Sequence, residues 1–249
     1  MQKIISFLFL MLAAISFSLP AEGAMISPDD TAEKIAANHS GINSYSVVID
    51  FDEQDLSLRI WQQSGFWRQE WVRDASGKEK VAAVAVGKGA SPVLSYGVSQ
   101  AAPPLISIIL KNMAWWEERG LQPQRQSYHF FHGRPALVMG MSKAEDPKPH
   151  LWIDNEDMVV LRTVFSDTQR IHDLAWLEYR NVGNYKLPHK VIISSGDFDM
   201  TCNIEWRDIN SEYSPDLFSP DILRQSFLNA KLDPSGLIMD YHHALGTVY

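Results

Sequence analysis

Between Pro149 and Pro220 the chain repeats one pattern: a short run of alternating apolar and polar residues, then a cluster of turn residues. Side chains of a strand point to opposite faces in turn, so such alternation marks strands with one face in and one face out. Leu151 and Ile153, then Val159, Leu161 and Thr163, alternate on either side of Asp154-Asn-Glu-Asp157, which predicts a β-hairpin with a polar tip. Leu187–Ile193 reads as a strand with its proline near the start, where a missing N–H does least harm. Thr201, Asn203, Glu205 and Arg207 alternate with Cys202, Ile204, Trp206 and Asp208, giving one polar and one mostly apolar face. Runs this short, joined by turns this short, fit an antiparallel sheet and leave no room for the long crossovers of a parallel one.

The first half extends the same pattern. Asp29-Asp-Thr31 before the alanine-rich Ala32–Asn38 predicts a helix, ended near Gly41. Tyr45–Phe51, Leu56–Trp61, Phe66–Val72 and Val81–Val86 read as strands in meander order, separated by Asp52–Asp55, Gln62–Gly65 and Asp74–Gly77. Gln124–Phe131 and Arg134–Met141 predict another hairpin, Lys143–Lys148 a polar linker, and Ser166–Gln169 a further turn. Pro103–Gly120 reads as a helix from Pro104 to Arg119 with Leu105, Ile108 and Ile109 on one face. Ile106 and Leu110 are apolar on the opposite side, so this helix has little polar surface over its first turns. After Pro220 the pattern weakens to a short helix over Asp221–Leu228 and a terminus without a clear period.

Charge and cysteine use exclude several classes. The formal net charge is −8, from 30 acidic and 22 basic residues, which disfavours nucleic acid and simple docking to anionic lipid as partners. Lys3, the apolar run Ile4–Leu19 and the small residues Pro20–Ala24 read as a secretory signal peptide. Cleavage after Gly23 fits best, with Ala21 and Ala24 as alternatives, and the apolar run is short for a membrane span. The division that follows is a signal peptide over 1–24, a half-barrel domain over 25–220, and a C-terminal extension of that domain over 221–249. Cys202 is the single cysteine, so an exported chain of this kind has no internal disulfide and depends on its core; Cys202 itself falls on the apolar side of its strand.

The order Leu151-Trp-Ile-Asp154, turn, Leu161-Arg162, then Tyr179-Arg-Asn-Val-Gly-Asn-Tyr-Lys-Leu-Pro188, then Ile209-Asn210 and Asp216-Leu-Phe-Ser-Pro220, resembles the second half of the LolA-like superfamily. That superfamily includes periplasmic outer-membrane lipoprotein carriers and related lipid-binding proteins. The resemblance implies a mainly β (α+β) fold: an open, strongly curved antiparallel half-barrel with short helices covering its concave face. It also implies a periplasmic, non-catalytic carrier or receptor for acylated ligand, lipoprotein or lipid, with membrane transport components as further partners. A sensor or protein-interaction module on the same fold is the alternative. Arg68 matches an arginine common in the third strand of the superfamily. Gln63-Ser64 stands where lipoprotein carriers have an Arg-Pro pair, and Val81–Tyr96 lacks their Asp-Gly and Trp-x-Tyr pattern.

No residue pattern points to catalysis, a cofactor or a metal. Gly-x-Ser-x-Gly, His-Glu-x-x-His and phosphate-loop motifs do not occur. The adjacent His242 and His243 diverge on any regular backbone, and no third ligand follows at a recognised spacing. Asp154, Glu156 and Asp157 share one turn and read as a solvated tip. What remains is an abundance of large apolar side chains, with 8 Trp, 11 Phe and 9 Met. The expected ligand site is a hydrophobic cavity between the sheet and the helix Pro104–Arg119, lined by Ile106, Leu110 and Met113 from the helix and by Trp61, Trp67, Trp71, Trp152 and Trp206 from the strands.

The signal-peptide reading has a direct check. N-terminal sequencing of the exported protein is expected to find that the first 21 to 24 residues have been removed. An intact Met1 on a cytoplasmic protein contradicts it.

Overall fold

The computed structural model describes residues 26–51, 55–75, 77–141, 149–166, 171–196 and 198–246. The signal segment, most of the Asp52–Asp55 turn, the Lys143–Lys148 linker and most of the Ser166–Gln169 turn lie outside them. Helix α1 (Pro28–Ala37) begins where expected: the Ser27 hydroxyl accepts the Asp30 N–H at 3.0 Å, and Asp29 and Asp30 occupy the first turn. Asn38 at its end donates to the carbonyls of Asp157 and Met158, at 3.1 and 2.9 Å, which fixes the helix over the hairpin read from Leu151 to Thr163.

The strands are β1 (Ser44–Phe51), β2 (Leu56–Gln63), β3 (Phe66–Ala75), β4 (Lys78–Lys88), β5 (Ser91–Tyr96), β6 (Gln126–Phe131), β7 (Arg134–Met139), β8 (His150–Asp154), β9 (Val160–Ser166), β10 (Ile171–Leu177), β11 (Arg180–Val182), β12 (Tyr185–Leu187), β13 (Lys190–Ser195) and β14 (Phe198–Ile209). Twelve of them form one antiparallel sheet in the order β5-β4-β3-β2-β1-β14-β13-β10-β9-β8-β7-β6, and β11 and β12 pair separately. The sheet is open, with β5 and β6 at its edges. This is the mainly β, open curved architecture that the resemblance implies, built of the antiparallel strands that the alternation predicts. Its closing step is the pairing of β1 with β14, Ile49 opposite Ile204 and Phe51 opposite Cys202, which joins the two meanders.

One face carries the main core. Val47 and Ile49 of β1, Leu58 and Ile60 of β2, Trp67 and Trp71 of β3, Trp176 of β10, Val191 of β13 and Cys202 of β14 are all buried on it. The cover is less regular than the sequence predicts. Instead of one helix over Pro104–Arg119, there is a 3-10 turn at Leu105–Ile108, then a five-residue helix α2 (Met113–Glu117). Asn112 breaks the run by capping α2, its side chain accepting the Trp115 N–H at 3.0 Å. Leu105, Ile106, Ile108 and Ile109 are each buried, so the segment packs on every side and has no exposed helical face to preserve. Side-chain burial outweighs the weak helix propensity of three isoleucines.

The C-terminal segment also departs from expectation. Helix α3 (Pro220–Phe227) is the short helix anticipated there, but a second helix, α4 (Gly236–Gly246), follows. Its Ile238, Tyr241 and Leu245 are buried in the main core, and the Tyr241 ring meets Trp71 edge-on at 4.9 Å. His242 joins three elements: the Trp71 indole N–H lies 3.0 Å from its Nε2 and the Ala102 N–H lies 3.1 Å from its Nδ1, and the neutral ring accepts from one of the two. Gln69 Nε2 in turn donates to the Ala102 carbonyl at 2.7 Å.

Both of these partners of His242 are donors only, so a charged ring, with N–H on each nitrogen, would find no acceptor in either. Burial pushes its pKa down to about 4 from the ordinary 6.5. Below pH 6.5 the unfolded chain takes up a proton that the folded chain refuses. Stability is therefore full above pH 6.5, declines by about 1.4 kcal/mol per unit as the pH falls toward 4, and levels off below it. Urea unfolding of His242→Gln across this window is expected to show a slope shallower by about that amount than the parent chain. Parallel curves for the two proteins would remove His242 from the account.

Candidate functional site

The expected site is the trough between the sheet's buried face and its cover, and the structure brings some of the expected residues together there. Ile106, Trp67, Trp71 and Trp206 belong to the main core cluster, and Leu110 and Met113 pack at its margin, half-buried. Trp71 stacks on Phe51 at 5.0 Å, and Trp67 lies over Gly87, where even a Cβ would come within 2.1 Å of its ring. The Trp206 indole donates to the Pro188 carbonyl at 2.9 Å.

Two of the expected residues lie elsewhere. Leu58 and Ile60 of β2 face the core, so Trp61, the next residue, faces the opposite side and is half-buried there. Trp152 likewise points away from its neighbours Leu151 and Ile153. It packs in a second cluster with Ala136, Val138, Met141, Val159 and Leu161. The Arg162 guanidinium sits 5.5 Å from the Trp152 ring and pairs with Asp173 across the next strand.

A void at the margin of the trough's cover, between α1, α2, β8 and β9, measures about 20 Å³ and is lined by Ile35, Lys111, Met113, Trp116, Leu151 and Val160, among others. Binding cavities for small ligands run to several hundred Å³, and about 20 Å³ holds little more than a water. The Lys111 ammonium at this margin has its pKa lowered, first by burial and then by the neighbouring Arg119. Arg119 stacks on the Trp115 ring at 3.6 Å.

A larger cavity, about 580 Å³, opens on the other face of the sheet, over β1 to β4 and β14. Val48, Asp50, Ser57, Arg59, Trp61, Val72, Asp74, Glu79 and Arg207 line it, and Arg59 reaches across to Glu79 at 2.5 Å. The Asp50 carboxyl is raised above its usual range, first by partial loss of water and then by Glu205, with Arg207 and Arg59 opposing. Sequence reasoning did not single out this groove. The signal was present, since the alternation that sends Ile49, Leu58 and Ile60 inward sends Asp50, Arg59 and Trp61 to the other face together.

Among the described residues no group of three or more His, Cys, Asp or Glu is placed to hold a metal ion, and no helix is long and apolar enough to cross a membrane.

No protein-family model matches the chain, and no curated protein matches it in sequence. Solved structures do resemble it. A LolA superfamily protein from Nitrosomonas europaea superposes with a TM-score of 0.49 at 11% identity, over 79% of this chain and 99% of that one. A putative outer membrane lipoprotein-sorting protein domain from Vibrio parahaemolyticus gives 0.45 at 10% identity, over 80% of this chain and 100% of that one. A DUF1329 family protein from Desulfovibrio piger gives 0.41 at 13% identity, over 79% and 97%.

Proposed function

We propose that this protein is a non-catalytic carrier or receptor for an acylated ligand, lipoprotein or lipid, acting in the periplasm after export. The observation that carries the reading is the nature of the cover. The buried face of an open sheet is closed by a segment, Ala101–Leu121, whose buried side chains are apolar and whose own regular structure is one 3-10 turn and five residues of helix. Such a cover contributes hydrophobic surface to the trough without a continuous helical ladder from one end to the other. The signal segment and the motifs that resemble the LolA-like superfamily support the location and the ligand class.

The cover's side chains are packed into the core, so an acyl chain enters by displacing part of this cover. Leu110, after the 3-10 turn, and Met113, the first residue of α2, are half-buried apolar residues packed at the margin of the core. Freeing the half-buried Leu110 and Met113 and one further, fully buried large side chain costs roughly 3–6 kcal/mol. Each buried methylene of a ligand returns about 0.8 kcal/mol. A chain of about six carbons therefore leaves nothing for the costs of association, while one of about sixteen leaves a surplus from which they are met. The site should select long acyl chains without a specific polar contact.

Titration with fluorescent fatty-acyl probes of graded length tests this. Binding is expected only for the long probes. Met113→Asp and Leu110→Asp are expected to weaken it about tenfold or more with little loss of melting temperature. Ile106→Asp, in a fully buried position, is expected to destabilise the fold by several kcal/mol. No saturable binding of any long probe would defeat the proposal, as would binding indifferent to both margin substitutions.

A further inference from the structure

The two edges of the sheet are unlike. β5 carries Pro92, which offers no N–H to a further strand, and its register against β4 shifts between Val86 and Gly87. Leu223 of α3 packs beside it against Val84, Val86, Leu94 and Tyr96. Proline, irregularity and a covering helix are devices that keep an edge from recruiting another strand. β6 has none of these devices. Its sequence, Gln126-Ser-Tyr-His-Phe-Phe131, contains no Asp, Glu, Lys, Arg or Pro, and its register with β7 runs without a shift. Tyr128 and Phe130 on one of its faces are 48% and 76% exposed.

The turn decides which backbone groups of β6 are available. His132 and Gly133 have φ of 48° and 80°, the conformation of a two-residue type I′ turn. The closing pair Phe131–Arg134 then exchanges hydrogen bonds, as do alternate pairs behind it. The Gly140 N–H bond to the Arg125 carbonyl, at 2.8 Å, keeps that parity. The N–H and C=O groups of Gln126, Tyr128 and Phe130 consequently point away from β7. Among the described residues no strand pairs with that edge.

We propose that β6 is a self-association edge, at which two copies of this chain pair antiparallel with Tyr128 of each opposite Phe130 of the other. This register matches outward-pointing residues with outward-pointing residues, as a hydrogen-bonded antiparallel pair requires. It places His129 opposite its own counterpart on the two-fold axis, and it sets the exposed rings of both copies in two aromatic cross-strand pairs. The contact is isologous and therefore closes at two copies. The net charge of −8 opposes association in general, but β6 brings no ionised carboxylate or lysine to the axis. A foreign strand could satisfy the backbone, but only a copy of β6 necessarily meets the Tyr128 and Phe130 rings with the same pair in reverse order. The inference does not depend on the carrier reading.

Sedimentation of the full chain from about 1 to about 100 μM tests it, and a monomer–dimer equilibrium is expected. Phe130→Lys, at an exposed site, is expected to weaken the dimer about tenfold or more with unchanged melting. His129→Cys places two thiols across the axis within disulfide reach and is expected to oxidise to a covalent dimer, whereas His132→Cys, in the turn, is not. The native Cys202 is buried and does not compete. A chain that stays monomeric throughout overturns the proposal. So does a dimer untouched by Phe130→Lys, or cross-linking no faster at position 129 than at 132. Pairing of an added extended peptide with a monomeric chain would assign the edge to a foreign strand and overturn self-association equally.

Discussion

An open sheet of twelve strands does not hide its inner face by closing on itself, and this constraint shapes the rest of the molecule. A closed barrel fills its lumen from its own strands, whereas an open one needs a separate cover. Here the cover is assembled from three places in the chain: α1 before the first strand, Ala101–Leu121 between the two meanders, and α4 after the last. Each buries apolar side chains in the same core cluster. Helices α1 and α4 are therefore part of the core, and folding of the sheet and seating of these helices are one hydrophobic event.

Burial is non-directional, so it does not by itself say where each piece of cover sits. The polar contacts inside the core supply that. Gln69 holds the Ala102 carbonyl, while the His242 ring lies between the N–H groups of Ala102 and Trp71 and accepts from one of them. A strand, the middle cover and the last helix thus meet at a few atoms whose geometry admits one arrangement. Buried polar groups are costly when unpaired, so a cover that slid by one residue would lose these bonds as well as contact area. At the other end of the cover, Asn38 performs a comparable task for α1 by reaching two carbonyls of the β8–β9 turn.

The strands were legible because alternation is a local signal and each strand has one face against the core. The same signal, taken strand by strand, separates Trp61 from Leu58 and Ile60, and so points Trp61 to the polar groove. It is weaker for Trp152, since every residue of β8 is buried and both faces of that strand are covered. The cover was the illegible part. Ala101–Leu121 is apolar on all sides, and a continuous apolar run does not distinguish a helix from an irregular buried segment. Helix α4 carries Ile238, Tyr241 and Leu245 at spacings of one helical face, but the polar residues between them and the nearby Pro234 and Gly236 obscured the stripe. Its histidine could not be understood before its partners, Trp71 and Ala102, were known from the fold.

The anchors of the cover also determine which part of it can move. Ala102 is pinned by the Gln69 amide on its carbonyl and faces the His242 ring with its N–H, and Leu121 lies beside Gly140, where the backbone has φ of 99° and a Cβ would come within 2.6 Å of the leucine. Both ends of the segment are thereby tied to the sheet. Between them Lys111 donates from its backbone to Ile108, but Leu110 and Met113 are only half-buried, and the 3-10 turn and α2 meet here without a continuous hydrogen-bonded ladder. Opening at this point disrupts one junction and leaves the pins at Ala102 and Leu121 intact. The free energy of opening is then set by a few apolar side chains rather than by unfolding of the cover, and burial of a ligand of similar apolar area is on a scale to offset it.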